Sequence, residues 1–166
     1  MRNITLFATF FAATFLFLSS PIYSQENKLE RPSKTGVSEV DKFVDKSFNT
    51  YEESLDISKA VSFISVVDEG NGKCIKDAQG QPISKPDALT QLGELLIRAK
   101  NQNENIKAVQ DLQKPATDAA KKASLQKKPA VTKNMKLGAD ALSKSVQETK
   151  KQIEEIDRQI EDIKSI

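Results

Sequence analysis

From about Pro129 to the C-terminus, apolar residues recur at alternating spacings of three and four. Met135, Leu142, Thr149, Ile156 and Ile163 fall on one heptad register, and Ala139, Val146, Ile153 and Ile160 fall on the other. Such a spacing predicts an α-helix with an apolar seam, here over 130–166. The positions beside the seam, Ser145, Gln152 and Gln159, carry no charge. A two-stranded zipper uses charges there to choose its partner, so their absence favours packing inside a bundle or an unselective oligomer. Two uses of the seam stay open. It can be the inner face of a monomeric bundle. It can also be an interaction seam, made of Leu142, Val146, Ile153, Ile156, Ile160 and Ile163, that holds a protein partner or a second copy.

The same patterning organises the chain upstream. Ser38, with Asp41 three residues on, resembles a capping box. Val40, Val44, Phe48, Tyr51 and Leu55 then form one stripe, with Phe43, Ile57, Ala60, Val61 and Ile64 beside it. This predicts a core helix over 38–67, although Ser62 to Val67 alternates and is rich in β-branched residues, so it can turn to strand. Asp68-Glu69-Gly70-Asn71-Gly72 is a turn. The segment 73–84 reads as a small β-hairpin, with Asp77 and Gly80 shaping its turn and Pro82 restricting its second strand to an edge.

Ser84, Pro86 and Asp87 open a second helix over 85–114, which passes a polar patch from Asn101 to Asn105 and is expected to stop at Pro115. The stretch 115–129 reads as a Lys/Ala-rich link with Leu125 as its one large apolar residue. The expected fold is mainly α. It is an elongated antiparallel helical bundle, coiled-coil-like, with a small β-hairpin insertion between the first two helices. One helical domain spans 38–166, preceded by a flexible lead-in over 25–37.

The N-terminus has a different character. Arg2 precedes an apolar run from Ile4 to Leu18, and Ser19 to Ser24 closes it with a proline and small residues. This is the layout of a cleaved secretory signal over 1–24. The run is shorter than the ~20 residues needed to span a bilayer, and no second hydrophobic span follows. The processed protein is therefore expected to be exported, periplasmic or extracellular, with no transmembrane span. Processing would remove five of the eight phenylalanines, leaving Phe43, Phe48, Tyr51 and Phe63 as the aromatic residues, and no tryptophan. A core of aliphatic residues and alanine suits elongated helical packing.

Composition also narrows the chemistry. The chain has no histidine and a single cysteine, which removes the commonest general base, thiolate metal clusters and an intramolecular disulfide. It carries no Gly-rich phosphate loop and no nucleophile elbow. Adjacent acids such as Glu52-Glu53 and Glu154-Glu155 point to different faces of a helix and read as solvated charges. The acidic turn at Asp68 fails the calcium-loop pattern, because its third, fifth and twelfth positions are Gly70, Gly72 and Gln79. No enzyme activity, cofactor or metal is expected. Cys74 reads as buried or inert, with an intermolecular bridge as the alternative.

The most biased stretch runs from Lys114 to Lys136. It holds Lys114, Lys121, Lys122, Lys127, Lys128, Lys133 and Lys136 against a single acid, Asp118. Lys121, Lys122, Lys127 and Lys128 are candidates for holding an anionic surface; a solvated helix or linker is the plain alternative. Without aromatics the stretch has no stacking platform, so sequence-specific nucleic-acid binding is not expected.

Two functional readings follow. The first is an exported protein acting through protein–protein contacts, as a structural, scaffold or chaperone-like component of the cell envelope. The second is an envelope or polyanion-binding protein using 114–136. The general plan of signal, small size, near-neutral charge and long polar helices resembles the periplasmic Skp/OmpH chaperones. No motif is shared with them, and a hairpin between two helices departs from their β-core.

Overall fold

The computed structural model describes residues 28–70 and 72–166, so the expected signal over 1–24 lies outside the described residues. Three helices, α1 (Ser38–Val61), α2 (Lys85–Lys122) and α3 (Lys128–Lys164), pack on one another, and a two-stranded antiparallel sheet, β1 (Ser65–Asp68) and β2 (Lys73–Lys76), sits between the first two. The expected fold class holds. Cross-helix bonds give the directions: Thr50 meets Gln102 and Glu53 meets Arg98, whereas Ser54 meets Gln152 and Val61 meets Gln159. Thus α2 runs antiparallel to α1, and α3 runs parallel to it.

Several boundaries differ from the sequence expectation. The first helix stops at Val61 rather than 67, because the alternating Ser65–Asp68 segment leaves as β1. It pairs with β2 in the register Ser65↔Lys76 to Asp68↔Lys73, around a turn in which Gly70 and Gly72 both have positive φ. The expected turn at Asp77 also forms, with Asp77 Oδ1 accepting from the Gln79 and Gln81 amides. Beyond it the pairing is one bridge, Lys76 to Pro82, flanked by bonds from the Asp77 amide to the Gln81 carbonyl and from the Ile83 amide to the Ile75 carbonyl; Pro82 fits there because its position faces no amide toward β2. The regular two-stranded ladder is therefore 65–76, and the expected 73–84 hairpin forms only as its turn and a single bridge on the other edge of β2.

The second helix does not end at Pro115. It continues to Lys122, and the expected link over 115–129 shortens to 123–127. A proline inside a helix costs about 3 kcal/mol through its lost hydrogen bond and its clash with the carbonyl four residues back. Here Pro115 and Asp111 are both exposed, so that carbonyl can turn to water. Ala116 is fully buried, and Ala120 and Ala123 pack against the core, so the alanines carry the inward stripe past the proline. Pro129 opens α3 from its first turn. Ser38 does not cap α1 either: Val37 is the N-cap residue, without a side-chain cap.

The lead-in, expected to be flexible, is docked over 28–37. The Arg31 guanidinium donates to Asn49 and Glu52 and lies 5.8 Å from the Phe48 ring centre. Asn134 of α3 donates to the Ser33 carbonyl, and Leu29 and Val37 pack on the core. Polar composition concealed this, because the anchors are an arginine fork and backbone carbonyls.

The core divides in two. One cluster is built on Phe43, Phe48, Tyr51, Ile106 and Leu142, the other on Ile57, Leu92, Leu95, Ile156 and Ile163. Between them along each helix lie buried polar residues, among them Thr50 and Ser54 on α1, Gln102 on α2, and Thr149 and Gln152 on α3. Ser47, Thr50, Ser54 and Ser145 each donate to the carbonyl four residues earlier, so their hydroxyls need no partner across the interface. Small residues let the helices approach closely. Gly138 faces Phe43 so closely that an added Cβ would lie 2.9 Å from the ring.

Gly138→Ala should therefore destabilise the fold by about 1–2 kcal/mol in urea unfolding, because overpacking outweighs the helix-propensity gain of alanine. Gly93→Ala, whose Cβ would meet nothing within 4 Å, should stabilise it by about 0.5–1 kcal/mol. Equal effects at the two sites would contradict this packing.

Candidate functional site

The six residues expected to form an interaction seam separate in the structure. Leu142, Ile156 and Ile163 are buried in the bundle's own core. Ile153 and Ile160 are half-buried against the same core, and Val146 is 43 % exposed. The reason is the row that α1 chose. The inward face of α3 combines the Leu142–Thr149–Ile156–Ile163 register with Val131, Gly138, Ser145 and Gln152, all buried. The apolar row of Val146, Ile153 and Ile160 is left on the flank. Glycine and serine admit the helix α1, and Gln152 bonds to it. Apolarity marked two neighbouring rows, of which Leu142–Thr149–Ile156–Ile163 faces inward; the uncharged positions at 145, 152 and 159 were the signal for which side of it α1 would cover.

Other candidates are equally well placed by their partners. Glu52 pairs with Arg31 at 3.0 Å and Glu53 with Arg98 at 2.7 Å, so these adjacent acids point to separate cations. Glu155 accepts two bonds from Arg158. Those bonds hold its carboxyl below the ordinary range, against the opposing effect of burial and with help from Gln159 and the arginine's charge. Cys74 is half-buried on β2. Burial pushes its thiol up, and the charge of Glu69 and the hydrogen bond to it add to the effect. A raised thiol carries little thiolate at neutral pH and reacts slowly. Glu69 is itself held low by its hydrogen bond to Lys76 and that lysine's charge. Among the described residues, no group of three or more histidine, cysteine or acidic side chains could hold a metal ion.

The sequence reading missed a groove of about 540 Å³ between α1 and α2, lined by Lys46, Asn49, Glu53, Arg98, Asn101 and Asn105. The polar patch from Asn101 to Asn105 was its trace in the sequence. Its floor is Gln102, whose amide donates to the Thr50 carbonyl, and its charges Glu53 and Arg98 neutralise each other. It offers amide hydrogen bonding beside the Lys46 ammonium and no nucleophile–base pair.

The four candidate lysines, in contrast, are brought together and all are exposed. Lys121 and Lys122 lie in the last turn of α2, Lys127 is the N-cap residue of α3, and Lys128 is its first helical residue. They surround the five-residue turn at one end of the bundle. Lys121 is 3.4 Å from Asp118, and Lys127 donates to the Gly36 carbonyl at 3.1 Å. Among the described residues, Lys122 and Lys128 have no ion pair. An open groove of about 740 Å³ beside them is lined by Gly36, Val37, Glu39, Asp118, Lys122 and Lys127. The first turn of α3 holds no acidic residue and no side-chain cap. Lysine beside the positive end of a helix dipole is unfavourable without a counter-charge.

One wall of this tip is set by Asp41. Its carboxylate accepts from the Thr35 amide and hydroxyl and from the Gly36 amide, at 2.7, 2.8 and 2.9 Å. Burial pushes this carboxyl up. The bonds from Thr35 and Gly36, with the nearby charge of Lys34, outweigh burial and leave it below its ordinary value of 3.8. Asp41 thus holds the strap whose Gly36 carbonyl receives Lys127.

No protein-family model, curated protein or solved structure matches the chain. The likeness to the Skp/OmpH chaperones is therefore one of general plan alone.

A carboxyl held low in the fold contributes stability above its unfolded value, and that contribution is lost as pH falls through the folded value. Urea unfolding should accordingly show an acid-side loss of stability beginning near pH 3.8 and extending below it, and Asp41→Asn should lack that component. An identical acid-side profile for the variant would remove Asp41 from this role.

Proposed function

We propose that this protein is an exported, non-enzymatic helical component of the cell envelope that works by contact, and that its working surface is the basic tip of the bundle. Export rests on the leader-like pattern over 1–24. The observation that carries the choice of surface is the convergence of Lys121, Lys122, Lys127 and Lys128 on one exposed turn. The uncapped, acid-free first turn of α3 beside them supports the reading, since an anionic partner would add a counter-charge that this turn itself lacks, with Glu39 and Asp118 the acids of the adjoining groove.

A partner held by the apolar seam has less support. Leu142, Ile156 and Ile163 are already covered by α1 and α2, and Val146 alone of the six is largely open. The partner favoured is an anionic envelope surface, recognised by charge and not by base or sugar readout. No helix among the described residues is long and apolar enough to cross a membrane, and the proposal needs none.

Each lysine near an anionic lipid surface contributes about 1 kcal/mol. Replacing Lys121, Lys122, Lys127 and Lys128 by glutamine in the full chain should weaken cosedimentation with phosphatidylglycerol-containing vesicles by roughly two to three orders of magnitude. Retention on heparin should fall with it, and raised salt should reproduce the loss in the unaltered chain. Undiminished binding to both probes by a folded variant would sink the proposal.

A further inference from the structure

Leu125 stands at the centre of the tip. It lies in the turn between Lys121-Lys122 and Lys127-Lys128, and it is 83 % exposed. A single exposed apolar side chain ordinarily needs no explanation, and Ile97, 61 % exposed on α2, is such a case. Leu125 differs in position. It occupies the end of a bundle whose two longest helices reach about 55 Å. It is flanked within four residues on either side by a pair of lysines, and it is the most exposed of the large apolar side chains among the described residues.

These features decide between anionic partners. A soluble polyanion such as a polysaccharide attracts the lysines but leaves a leucine in water. A bilayer with anionic headgroups attracts the same lysines and also offers the leucine an apolar layer just beneath them. Lysine stems are long enough to keep their ammonium groups at headgroup level while the turn goes deeper. One leucine is too little for stable anchoring alone. Combined with a basic cluster it gives a reversible attachment, the two-signal arrangement that peripheral proteins use.

We infer that the 121–128 turn is an end-on docking tip for an anionic lipid bilayer, with Leu125 inserting between headgroups that Lys121, Lys122, Lys127 and Lys128 hold. This rests on the proposed function of the same surface and names its partner. The bundle then stands away from the bilayer, leaving the α1–α2 groove and the flank of α3 free.

The chain has no tryptophan, so Leu125→Trp in the full chain places a sole indole at the apex, and Ile97→Trp supplies a reference remote from it. With vesicles of phosphatidylcholine and phosphatidylglycerol, emission from position 125 should shift to shorter wavelength. It should not shift with phosphatidylcholine alone, and position 97 should not shift with either. Leu125→Ser should weaken binding to the mixed vesicles by about tenfold and leave heparin retention unchanged. Lysine-dependent binding with no shift at position 125 and no effect of Leu125→Ser would overturn the insertion and leave the anionic-surface reading intact. An equal shift at positions 97 and 125, or one equally strong on phosphatidylcholine, would overturn it as well. Loss of the lysine dependence itself would remove both.

Discussion

Two glutamine side chains hold the bundle in register. Gln102 of α2 donates to the Thr50 carbonyl at 2.6 Å, and Gln152 of α3 donates to the Ser54 carbonyl at 2.5 Å. Each also reaches a hydroxyl of α1, Ser54 for Gln102 and Ser58 for Gln152. The two outer helices thereby meet consecutive turns of the same helix at its middle, and both apolar clusters are aligned from that point. Aliphatic seams of heptad character slide easily by a heptad; a buried amide at one core position penalises every register but one. Part of what these bonds contribute is offset on α3. Thr149 Oγ1 and Gln152 Oε1 are buried without a partner, and an unsatisfied buried polar atom costs about 1–3 kcal/mol.

This band explains why the architecture was legible in the sequence and the choice of inward row on α3 was less so. The 3–4 spacing exposed all three helices, because burial of one stripe is the main force that holds an amphipathic helix in place. The same pattern could not show which of two adjacent rows of α3 faces α1. That choice was made by Gly138, Ser145 and Gln152, whose small size and amide chemistry are invisible to a hydrophobicity count. Pro115 misled for a related reason. Local propensity argues for a break there, and the buried alanines at 116, 120 and 123 override it. Ala88 to Val109 on α2 likewise continues its inward spacing through the polar patch, because Gln102 is itself a core residue.

The basic tip was legible as composition and not as geometry. The count of lysines between Lys114 and Lys136 drew attention to the whole stretch, but only the shortening of the link to five residues draws four of them around one turn. The local rules of helix electrostatics are obeyed at α1, with Glu39 and Asp41 in its first turn, and at α2, with Asp87 at its start and Lys121 and Lys122 at its end. They are set aside at the start of α3. Natural chains break such rules mainly where function requires it. The proposed contact surface coincides with one such lapse, and the helix faces joined by the glutamine band are turned inward.

The most direct measurement is the amide NMR spectrum of a Gln102→Leu/Gln152→Leu double variant, recorded with its urea midpoint. The α1 carbonyls retain their helical bonds, so two leucines of similar volume should leave stability unchanged or raised. Register should lose its definition, giving broadened or multiple resonances for α2 and α3. A single sharp set of resonances with the original interhelical contacts would contradict the assignment of register to the glutamine band.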